Sequence, residues 1–353
     1  MEQPRRILVI NPGSTSTKLA LYLDDQAEEC EEVQHDPGTP QRSVQLWDQY
    51  RERLHRVREW AFATTRELSA VVGRGGLLRP VAGGTYRVNH RMLEDARANV
   101  QGEHASNLGC AMAHALAEEY GCEAFVVDPV SVDELEPLAR YSGHPVISRK
   151  SLSHALNIHA AARRAAAEMN LPFRKSSFIV VHLGGGISVA PVRGGRIIDI
   201  NDASSDGPFS PERTGGLPLQ QFITLCFSGS HTEQEARSLV MGTGGLLAYL
   251  GTSAAPEIEK RIREGDDKAR EVYEAMAYQI AKEVGAMAAV LCGSIQAIVL
   301  TGGLAGSTML TRWIRDRVEF IAPIRIYPGE DEMKALATGA LGVLTGDTTP
   351  LEY

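Results

Sequence analysis

The sequence predicts an α/β fold in two domains, and three observations support this prediction. A chain of 353 residues exceeds the roughly 250–300 residues at which a single hydrophobic core stops growing. Short apolar strands alternate with amphipathic helices along the chain, as in α/β proteins. A weak repeat is also present, because residues 7–22 and 178–192 each consist of an apolar run, a turn of small residues and a second apolar run. Two similar halves are therefore expected.

The first half begins with the first repeat segment, which we interpret as a β-hairpin, since aliphatic and β-branched residues flank glycine and hydroxyl residues that permit a tight turn. Apolar residues between Trp47 and Trp60 then recur at spacings of three and four, which predicts an amphipathic helix. The same patterns predict strands at 69–76, at 85–88 and in the run ending at Asp128, and helices near 90–99 and 108–120.

The second half repeats this order of elements. A helix is predicted over 151–169, followed by the second hairpin and by a strand at 196–200 that turns at Gly194-Gly195. A loop rich in glycine and proline covers 202–218. The remaining predicted elements are a long amphipathic helix near 268–292, a buried strand at 297–303 with a helix after it, and a final helix near 332–345.

Composition excludes several classes of protein. Hydrophobic residues make up 43% and charged residues 23%, and a net charge of −8 without runs of like charge argues against a nucleic-acid surface. Five scattered cysteines, with no C-x-x-C and no Cys-His cluster, argue against disulfides and structural zinc, so we expect reduced thiols. Since no window approaches the roughly 18 apolar residues of a membrane span, and no signal peptide is evident, we expect a cytoplasmic protein with small-molecule partners and no membrane association.

The first turn, residues 11–18, offers hydroxyl groups, backbone N–H groups and the cation of Lys18, which together suit phosphate oxygens. Its sequence is not a Walker A loop, because G-x-x-x-x-G-K-[ST] is absent and a strand follows. Taken alone, such a turn is more often just a turn, and Lys18 would suit a solvated strand equally well.

Two glycine motifs of the second half have the same character. The triplet Gly184-Gly185-Gly186 lets backbone approach a phosphate with no Cβ in the way, although a plain hairpin turn explains it as well. It lacks the third glycine of a dinucleotide-binding fingerprint, so an NAD site is disfavoured. The strand AIVLTGG (297–303) ends at a junction where backbone packs against a purine in nucleotide-binding folds, but such junctions are common. The pairing of two phosphate-type hairpins in corresponding places favours a polyphosphate ligand.

Together, the two hairpins and the strand-T-G-G junction resemble the phosphate-1, phosphate-2 and adenosine motifs of the superfamily of acetate and sugar kinases, Hsp70 and actin. Within it, the chain is similar to the butyrate kinases of the acetokinase family over nearly its whole length. The segments that carry this resemblance are NPGSTSTKLALY, VGRGGLLRPVAGGTYRVN, GEHASNLG, HLGGGISV, SSDGPFSPERTGGLP and LTGGLAGS.

The resemblance implies two duplicated ribonuclease-H-like domains, as in actin-like ATPases, with a central cleft that closes over the substrates. Residues 1–150 would form a carboxylate-binding domain completed by the C-terminal helix at 332–353, and residues 151–331 a nucleotide-binding domain. The implied reaction is reversible phosphoryl transfer from ATP to butyrate or a related short- or branched-chain fatty acid, giving an acyl phosphate and ADP. Mg²⁺ and a homo-oligomer are implied as well.

The resemblance also assigns site residues. The nucleotide would contact Asn11, Ser14, Ser16 and Lys18, the triplet Gly184-Gly185-Gly186, and Gly302, Gly303 and Leu304. Arg74 would clamp the carboxylate or the migrating phosphoryl group with its planar fork, and Arg213 would neutralise charge on that group. Asp128 ends a strand and would either act in catalysis or, with Asn11 and Glu332, hold Mg²⁺. His154 and His104 are lower-ranked candidates. Each of these site candidates could also be a purely structural residue of a turn, of the surface or of the edge of the core.

Two departures from acetate kinases bear on the acid. Where acetate kinases have a segment similar to H-L-G-N-G, this chain has the triplet Gly184-Gly185-Gly186. Where they carry valines after the substrate arginine, it has Gly75-Gly76. Losing two β-branched side chains would deepen the acyl pocket, and each buried methylene contributes about 0.8 kcal/mol. We therefore expect a preference for acids of four or five carbons.

Three alternatives remain open from the sequence. The first is another carboxylate kinase, which acts on acetate or propionate. The second is a nucleotide-driven binding ATPase like actin or Hsp70, and the third is a sugar or polyol kinase. A filament-forming or peptide-binding extension is not evident, and the arginine-glycine segment suits a carboxylate better than a sugar.

Overall fold

The computed structural model describes residues 4–35 and 46–353. The chain divides into two compact units, each built on its own β-sheet. Unit 1 extends to Asp133 and takes up the chain again from Asp331 to Tyr353, and unit 2 is Glu134–Glu330. Residues 134–150 join unit 2 because they bond to its sheet: Glu134 Oε2 accepts from the Ile197 N–H at 2.8 Å, and Arg149 pairs with Asp199 at 2.9 Å. The first boundary thus precedes the expected residue 150.

Within its described residues, unit 1 contains six strands and four α-helices. The strands are β1 (Arg6–Pro12), β2 (Ser16–Leu23), β3 (Gln26–Gln34), β4 (Ala70–Arg74), β5 (Thr85–Arg87) and β6 (Glu123–Val127). Three helices are α1 (Tyr50–Thr64), α2 (His90–Arg97) and α3 (Asn107–Tyr120), and the fourth is the C-terminal α11 (Glu332–Leu344).

The sheet of unit 1 has the order β3-β2-β1-β4-β6-β5. Strands β1, β4 and β6 are parallel, and β2 and β3 are added to β1 as antiparallel hairpins. Leu8 and Ile10 of β1 face a core formed with α1 and α3. Because side chains alternate along a strand, Asn11 lies on the opposite face, where α11 packs against β1.

Unit 2 contains seven strands and seven helices. The strands are β7 (Tyr141–His144), β8 (Ile147–Ser148), β9 (Ser177–Leu183), β10 (Ile187–Arg193), β11 (Arg196–Ile197), β12 (Ala297–Gly302) and β13 (Ile324–Pro328). The helices are α4 (Ala155–Glu168), α5 (Leu219–Cys226), α6 (Glu233–Val240), α7 (Gly245–Leu250), α8 (Ala255–Arg263), α9 (Asp267–Val290) and α10 (Thr308–Val318).

The main sheet of unit 2 has the order β11-β10-β9-β12-β13, and β7 pairs with β8 apart from it. Ile179, Val181 and Leu183 of β9 face a core shared with α9 and α10. The alternate residues of β9 face α4, so that His182 bonds to Asn157 of that helix. The sheet is therefore covered on both faces.

The two sheets share one topology, which confirms the duplicated ribonuclease-H-like fold. Strands β9, β10 and β11 repeat β1, β2 and β3, and the parallel neighbours β12 and β13 repeat β4 and β6. The turns at Gly13 and Gly184 therefore occupy equivalent places. The cleft predicted with this fold stays a prediction.

Most predicted elements are present, with differences that have physical causes. Strand β3 was not predicted because it is an edge strand whose side chains are nearly all exposed and polar, so it has no apolar alternation. The helix expected from residue 151 begins at Ala155, since His154 has a non-helical ψ of 51°. The predicted strand at 196–200 pairs only over Arg196–Ile197. All five cysteines are free thiols, as expected. Within the described residues, no helix is long and apolar enough to cross a membrane.

Candidate active site

The N-P-G-S turn, residues 11–16, connects β1 to β2 in unit 1. The strand register pairs Asn11 with Lys18, and the Gly13 N–H donates to the Ser16 carbonyl at 2.7 Å, which closes a tight hairpin. Ser14 and Thr15 are exposed at its tip. The Ser16 hydroxyl donates to Glu32 on β3 at 2.7 Å, so this hydroxyl is already engaged within the sheet. The tip of the turn is open to a ligand through its backbone and through Ser14.

Arg74 lies at the end of β4 and forms an ion pair with Glu332, the first residue of α11. The Asn11 side-chain amide donates to the other carboxylate oxygen of Glu332 at 2.8 Å. The Arg74 side chain is only 11% exposed, and its Nε is buried without a hydrogen-bond partner among the residues that the structure describes. A buried donor without a partner is costly, and an anion bound beside Arg74 would satisfy it.

Asp128 follows β6 directly, and the parallel register places Val127 beside Arg74. Its side chain is 1% exposed, and its φ of 39° is unusual for a residue other than glycine. Gly84 bonds to it twice: Oδ1 accepts from the Gly84 N–H at 2.7 Å, and the Asp128 N–H donates to the Gly84 carbonyl at 2.9 Å. The strained backbone and the buried carboxylate are features that cluster at active sites.

The three predicted metal ligands are oxygen-bearing side chains of unit 1. Asn11 contacts Glu332, and Asp128 is anchored to Gly84. Among the described residues, no group of three His, Cys, Asp or Glu side chains forms a metal site. Mg²⁺ commonly takes one or two protein carboxylates and completes its shell with water and substrate phosphates, so this donor set fits it.

The glycines after Arg74 do not open an acyl pocket. A Cβ at Gly75 would lie less than 3.0 Å from Val126 and Pro129, and one at Gly76 less than 3.0 Å from Asn107. Neighbouring atoms of unit 1 fill the space that a larger side chain would need. The argument that these two glycines deepen the pocket is therefore wrong.

In unit 2, the triplet Gly184-Gly185-Gly186 forms the tight turn between β9 and β10. The Gly184 N–H donates to the Gly186 carbonyl at 3.2 Å, and the Ser210 hydroxyl donates to the Gly185 carbonyl at 2.6 Å. A Cβ at Gly185 would meet no described atom within 4 Å. The backbone N–H groups at this tip can be approached by a phosphate.

Arg213 lies against this turn. A Cβ at Gly186 would fall less than 3.0 Å from the Arg213 guanidinium, so a glycine is needed there to admit it. Arg213 Nη1 donates to the Ala203 carbonyl at 3.0 Å. Burial lowers the pKa of Arg213 below its ordinary value, while Asp202 acts in the opposite direction. Its cation thus sits in a partly desolvated place beside the turn.

His154 and His182 stack their rings in unit 2, with centroids 3.8 Å apart and planes inclined by 12°. His154 precedes α4 and shares a hydrogen bond with the Ser188 hydroxyl at 3.0 Å. His182, on β9, is 1% exposed and contacts Asn157 at 2.9 Å and Glu330 at 3.3 Å. A Cβ at Gly184 would lie less than 3.0 Å from the His182 ring, so the histidine pair borders the glycine turn.

The strand-T-G-G junction lies at the same end of this sheet. Gly302, with φ 92°, is packed so closely that a Cβ would lie less than 3.0 Å from the Leu183 backbone. Gly303 is exposed, Leu304 is half-buried, and Ser307 then caps α10 by accepting from the Leu310 N–H. Strand β12 is a parallel neighbour of β9, so the junction and the glycine turn are brought together.

Two predicted residues have other surroundings. His104 is exposed in the loop before α3, where its Nδ1 bonds to the Ser106 hydroxyl at 2.5 Å. Lys18 is exposed on β2 between Asn11 and Glu32 in register, which matches the solvated alternative.

Sequence reasoning did not single out His182, Glu330 or Arg53. His182 lies inside a quoted motif, and a polar residue at the end of the buried run FIVVHL is a signal that could have identified it. Nothing local marks Glu330 or Arg53, because their contacts are made with distant parts of the chain.

The chain has close relatives along its whole length. A sequence profile of the acetokinase family matches residues 143–334. A probable butyrate kinase 2 of Caldanaerobacter subterraneus subsp. tengcongensis is 53% identical over 351 residues, which cover 99% of each protein. Butyrate kinase 2 of Clostridium acetobutylicum is 46% identical over 352 residues, again 99% of each.

Solved structures share the fold at low sequence identity. The acetate kinase of Porphyromonas gingivalis superimposes with a TM-score of 0.80 at 17% identity, over 96% of this chain and 100% of that one. A propionate kinase from Francisella tularensis gives a TM-score of 0.72 at 18% identity, over 95% and 98% of the two chains. Both units described above therefore have counterparts in known structures.

Proposed function

Because the chain belongs to the acetokinase family, we propose that it is an ATP-dependent carboxylate kinase whose acceptor is butyrate or a related short- or branched-chain fatty acid. A carboxylate oxygen attacks the γ-phosphorus of ATP, the bond from that phosphorus to the β–γ bridging oxygen breaks, and ADP leaves. The products are the acyl phosphate and ADP, and the reaction is reversible. The observation that carries the proposal is the orphaned, buried Nε of Arg74 beside Asp128 and Glu332.

Unit 1 supplies the groups for the acid in this proposal. Arg74 binds the carboxylate or the migrating phosphoryl group, since its fork is buried and has a free donor among the described contacts. Gly75 and Gly76 pack closely against Val126, Pro129 and Asn107 and do not contribute pocket depth. The preference for a four-carbon acid is therefore supported by the names of the relatives alone.

Unit 2 supplies groups for the nucleotide. The backbone of residues 184–186 and 302–304 would contact phosphate and adenosine, in keeping with their shared sheet end. Arg213 and His154 flank the glycine turn and would neutralise charge on the phosphoryl group as it moves. Phosphoryl transfer asks mainly for such positioning and neutralisation.

Asn11, Asp128 and Glu332 would hold Mg²⁺. The metal would supply charge neutralisation on phosphate oxygens. Glu332 already binds Arg74 and Asn11, so its carboxylate is preoriented by two partners.

We also propose a homo-oligomer. Leu219, Ile223 and Phe227 recur at spacings of four along and just beyond α5, and Phe227 is 87% exposed. Within the described chain, α5 buries none of its residues, and an apolar helix face of this kind is typical of an interface. Light scattering should give a multiple of the monomer mass, and a monomeric mass at micromolar concentration would refute the proposal.

The activity is tested by trapping the acyl phosphate with hydroxylamine. With ATP, Mg²⁺ and butyrate, the protein should form butyryl hydroxamate, and kcat/KM for butyrate and isobutyrate should exceed that for acetate by about tenfold, since two further methylenes are buried. Equal values for all three acids would contradict the preference. ATP hydrolysis that is indifferent to any acid would instead support a nucleotide-driven binding ATPase.

The arginine variants provide the matched control. Arg74→Ala should lower kcat/KM for butyrate by about a hundredfold or more, as expected when a transition-state charge partner is lost. Arg91→Ala removes an exposed arginine of α2 and should leave the rate unchanged. Loss of activity in both variants would point to a general defect and not to a role for Arg74.

A further inference from the structure

Arg53 is a charged side chain in an unusual position. It lies on α1, its residue is 2% exposed, and its guanidinium reaches the N-P-G-S turn. Nη1 donates to the Gly13 carbonyl at 2.7 Å, and Nη2 donates to the Ser14 carbonyl at 2.9 Å. Buried arginines usually pair with carboxylates, whereas the hydrogen-bond partners of this one in the described chain are all neutral.

Gln49 fixes the orientation of this guanidinium. Its Oε1 accepts from Arg53 Nε at 3.1 Å and from Nη2 at 2.7 Å, one helical turn before the arginine. The Gln49 amide oxygen therefore fixes the plane of the guanidinium through Nε and Nη2. In this orientation Nη1 and Nη2 donate to two consecutive carbonyls of the turn. A lysine ammonium has no such fork and could not reproduce this geometry.

The carbonyl oxygens of this turn are occupied by hydrogen bonds within the protein. The carbonyls of Gly13 and Ser14 accept from Arg53, that of Thr15 accepts from the His35 N–H at 2.8 Å, and that of Ser16 accepts from the Gly13 N–H at 2.7 Å. Carbonyl oxygens repel an anion, whereas backbone N–H groups attract one. A turn with four successive carbonyls bonded within the protein is thus prepared for phosphate at its exposed tip.

We propose that Arg53 is a positioning residue for nucleotide phosphate, acting through the N-P-G-S turn without touching the nucleotide. The inference rests on the proposed function, in which this turn contacts the phosphates. The buried cation also adds positive potential behind the turn, and this potential is not cancelled by a bonded carboxylate in the described chain.

The test measures ADP binding in the absence of any acid, by calorimetry on the full chain with Mg²⁺ present. Arg53→Ala should raise the Kd for ADP by about tenfold or more, while the KM for butyrate changes less than about twofold. Guanidinium ion at millimolar concentration should recover part of the ADP affinity. Arg51→Ala, an exposed arginine on the same helix, is the control and should bind ADP like the wild type.

A purely structural role predicts a different pattern, in which thermal stability falls but the Kd for ADP stays within about twofold of the wild-type value. That result would overturn the proposal, as would an equal rise in the Kd for ADP and the KM for butyrate. If Arg53→Ala does not fold, Arg53→Lys and Gln49→Ala test the proposal instead. Arg53→Lys keeps a long cationic side chain at position 53, and Gln49→Ala keeps Arg53 but removes the amide that orients it. Both should weaken ADP binding, and unchanged affinity in both folded variants would also overturn it.

The two proposals fail in different ways. A wild-type protein that binds ADP but forms no butyryl hydroxamate would refute the carboxylate kinase activity while leaving the Arg53 comparison intact. Conversely, normal hydroxamate formation together with unaltered ADP affinity in the Arg53 variants would refute only the positioning role.

Discussion

At the residue scale, charged groups of the candidate site are held by glycines that allow close approach. Gly186 admits the guanidinium of Arg213. The backbone of Gly84 bonds to both the side chain and the backbone of Asp128. In each case the charged group is buried or half-buried, where a side chain without partners would be costly. At Gly186 the missing Cβ provides access, whereas Gly84 has a φ of 151°, a conformation that favours glycine.

Gly186→Ala should separate catalysis from stability. The added Cβ would collide with the far end of the Arg213 side chain, which can move cheaply, so the loss of stability should stay below about 1 kcal/mol. The displaced guanidinium should nevertheless lower kcat by about tenfold to a hundredfold.

Gly285→Ala on α9 is the control for that variant, because its Cβ would meet no described atom within 4 Å and the residue lies outside the candidate site. Its kcat should remain close to the wild-type value, and its thermal midpoint should not fall, since alanine is the better helix former. If the two alanine variants show the same kcat, the contact between Gly186 and Arg213 has no part in the reaction.

At the scale of elements, the C-terminal segment completes unit 1 in three places. Helix α11 brings Glu332 to Arg74 and Asn11. Beyond it, the Leu351 N–H donates to the Thr85 carbonyl at 2.8 Å, so the tail adds to the edge at β5. The Tyr353 hydroxyl then donates to Asp95 on α2 at 2.9 Å.

Asp95 should make the stability of unit 1 depend on pH. Bonds from Arg79, and secondarily from Tyr353, hold the pKa of Asp95 below its ordinary value. A carboxyl whose pKa is lower in the folded state contributes stability above its unfolded pKa, and loses it as the pH falls through the folded value. In urea unfolding, the midpoint difference between wild type and Asp95→Asn should be full at pH 7 and shrink below about pH 4.

Asp25→Asn removes an exposed carboxylate from the turn after β2 and is the comparison for this experiment. Its midpoint should follow the wild type at every pH. A midpoint difference for Asp95→Asn that is independent of pH would show that the carboxylate charge contributes nothing.

At the scale of the whole molecule, two copies of one topology carry different chemistry. Unit 1 bears the carboxylates and Arg74, whereas unit 2 bears glycine-lined backbone and the stacked histidines. The turns after β1 and β9 are equivalent in the fold, yet one is backed by Arg53 and the other by Ser210 and Arg213. Duplication thus explains the placement of the turns but not their side chains.

Nucleotide binding should stabilise the protein by mass action. ADP at 100 times its Kd should raise the free energy of unfolding of the part that binds it by about 2.7 kcal/mol. With Mg²⁺ the rise in thermal midpoint should exceed that with EDTA, because the metal would neutralise charge on the phosphate oxygens. Identical thermal shifts in Mg²⁺ and EDTA would contradict the magnesium proposal.

The sequence by itself determined the fold class, the family and the turns, since strand runs and glycine turns are local patterns. Asp128 and Arg74 were proposed as site residues from the family resemblance, and each follows or ends an apolar strand. Local patterns also misled, because Gly75 and Gly76 suggested an open pocket where neighbouring residues fill the space.

Only the tertiary structure decided which charged groups meet. Asn11 and Glu332 are 321 residues apart and come together because α11 packs on the face of β1 opposite to α1 and α3. Arg53 reaches the N-P-G-S turn for the same kind of reason, since α1 packs on the other face. Such contacts depend on how helices cover a sheet, and no periodicity within one segment of the chain carries that information.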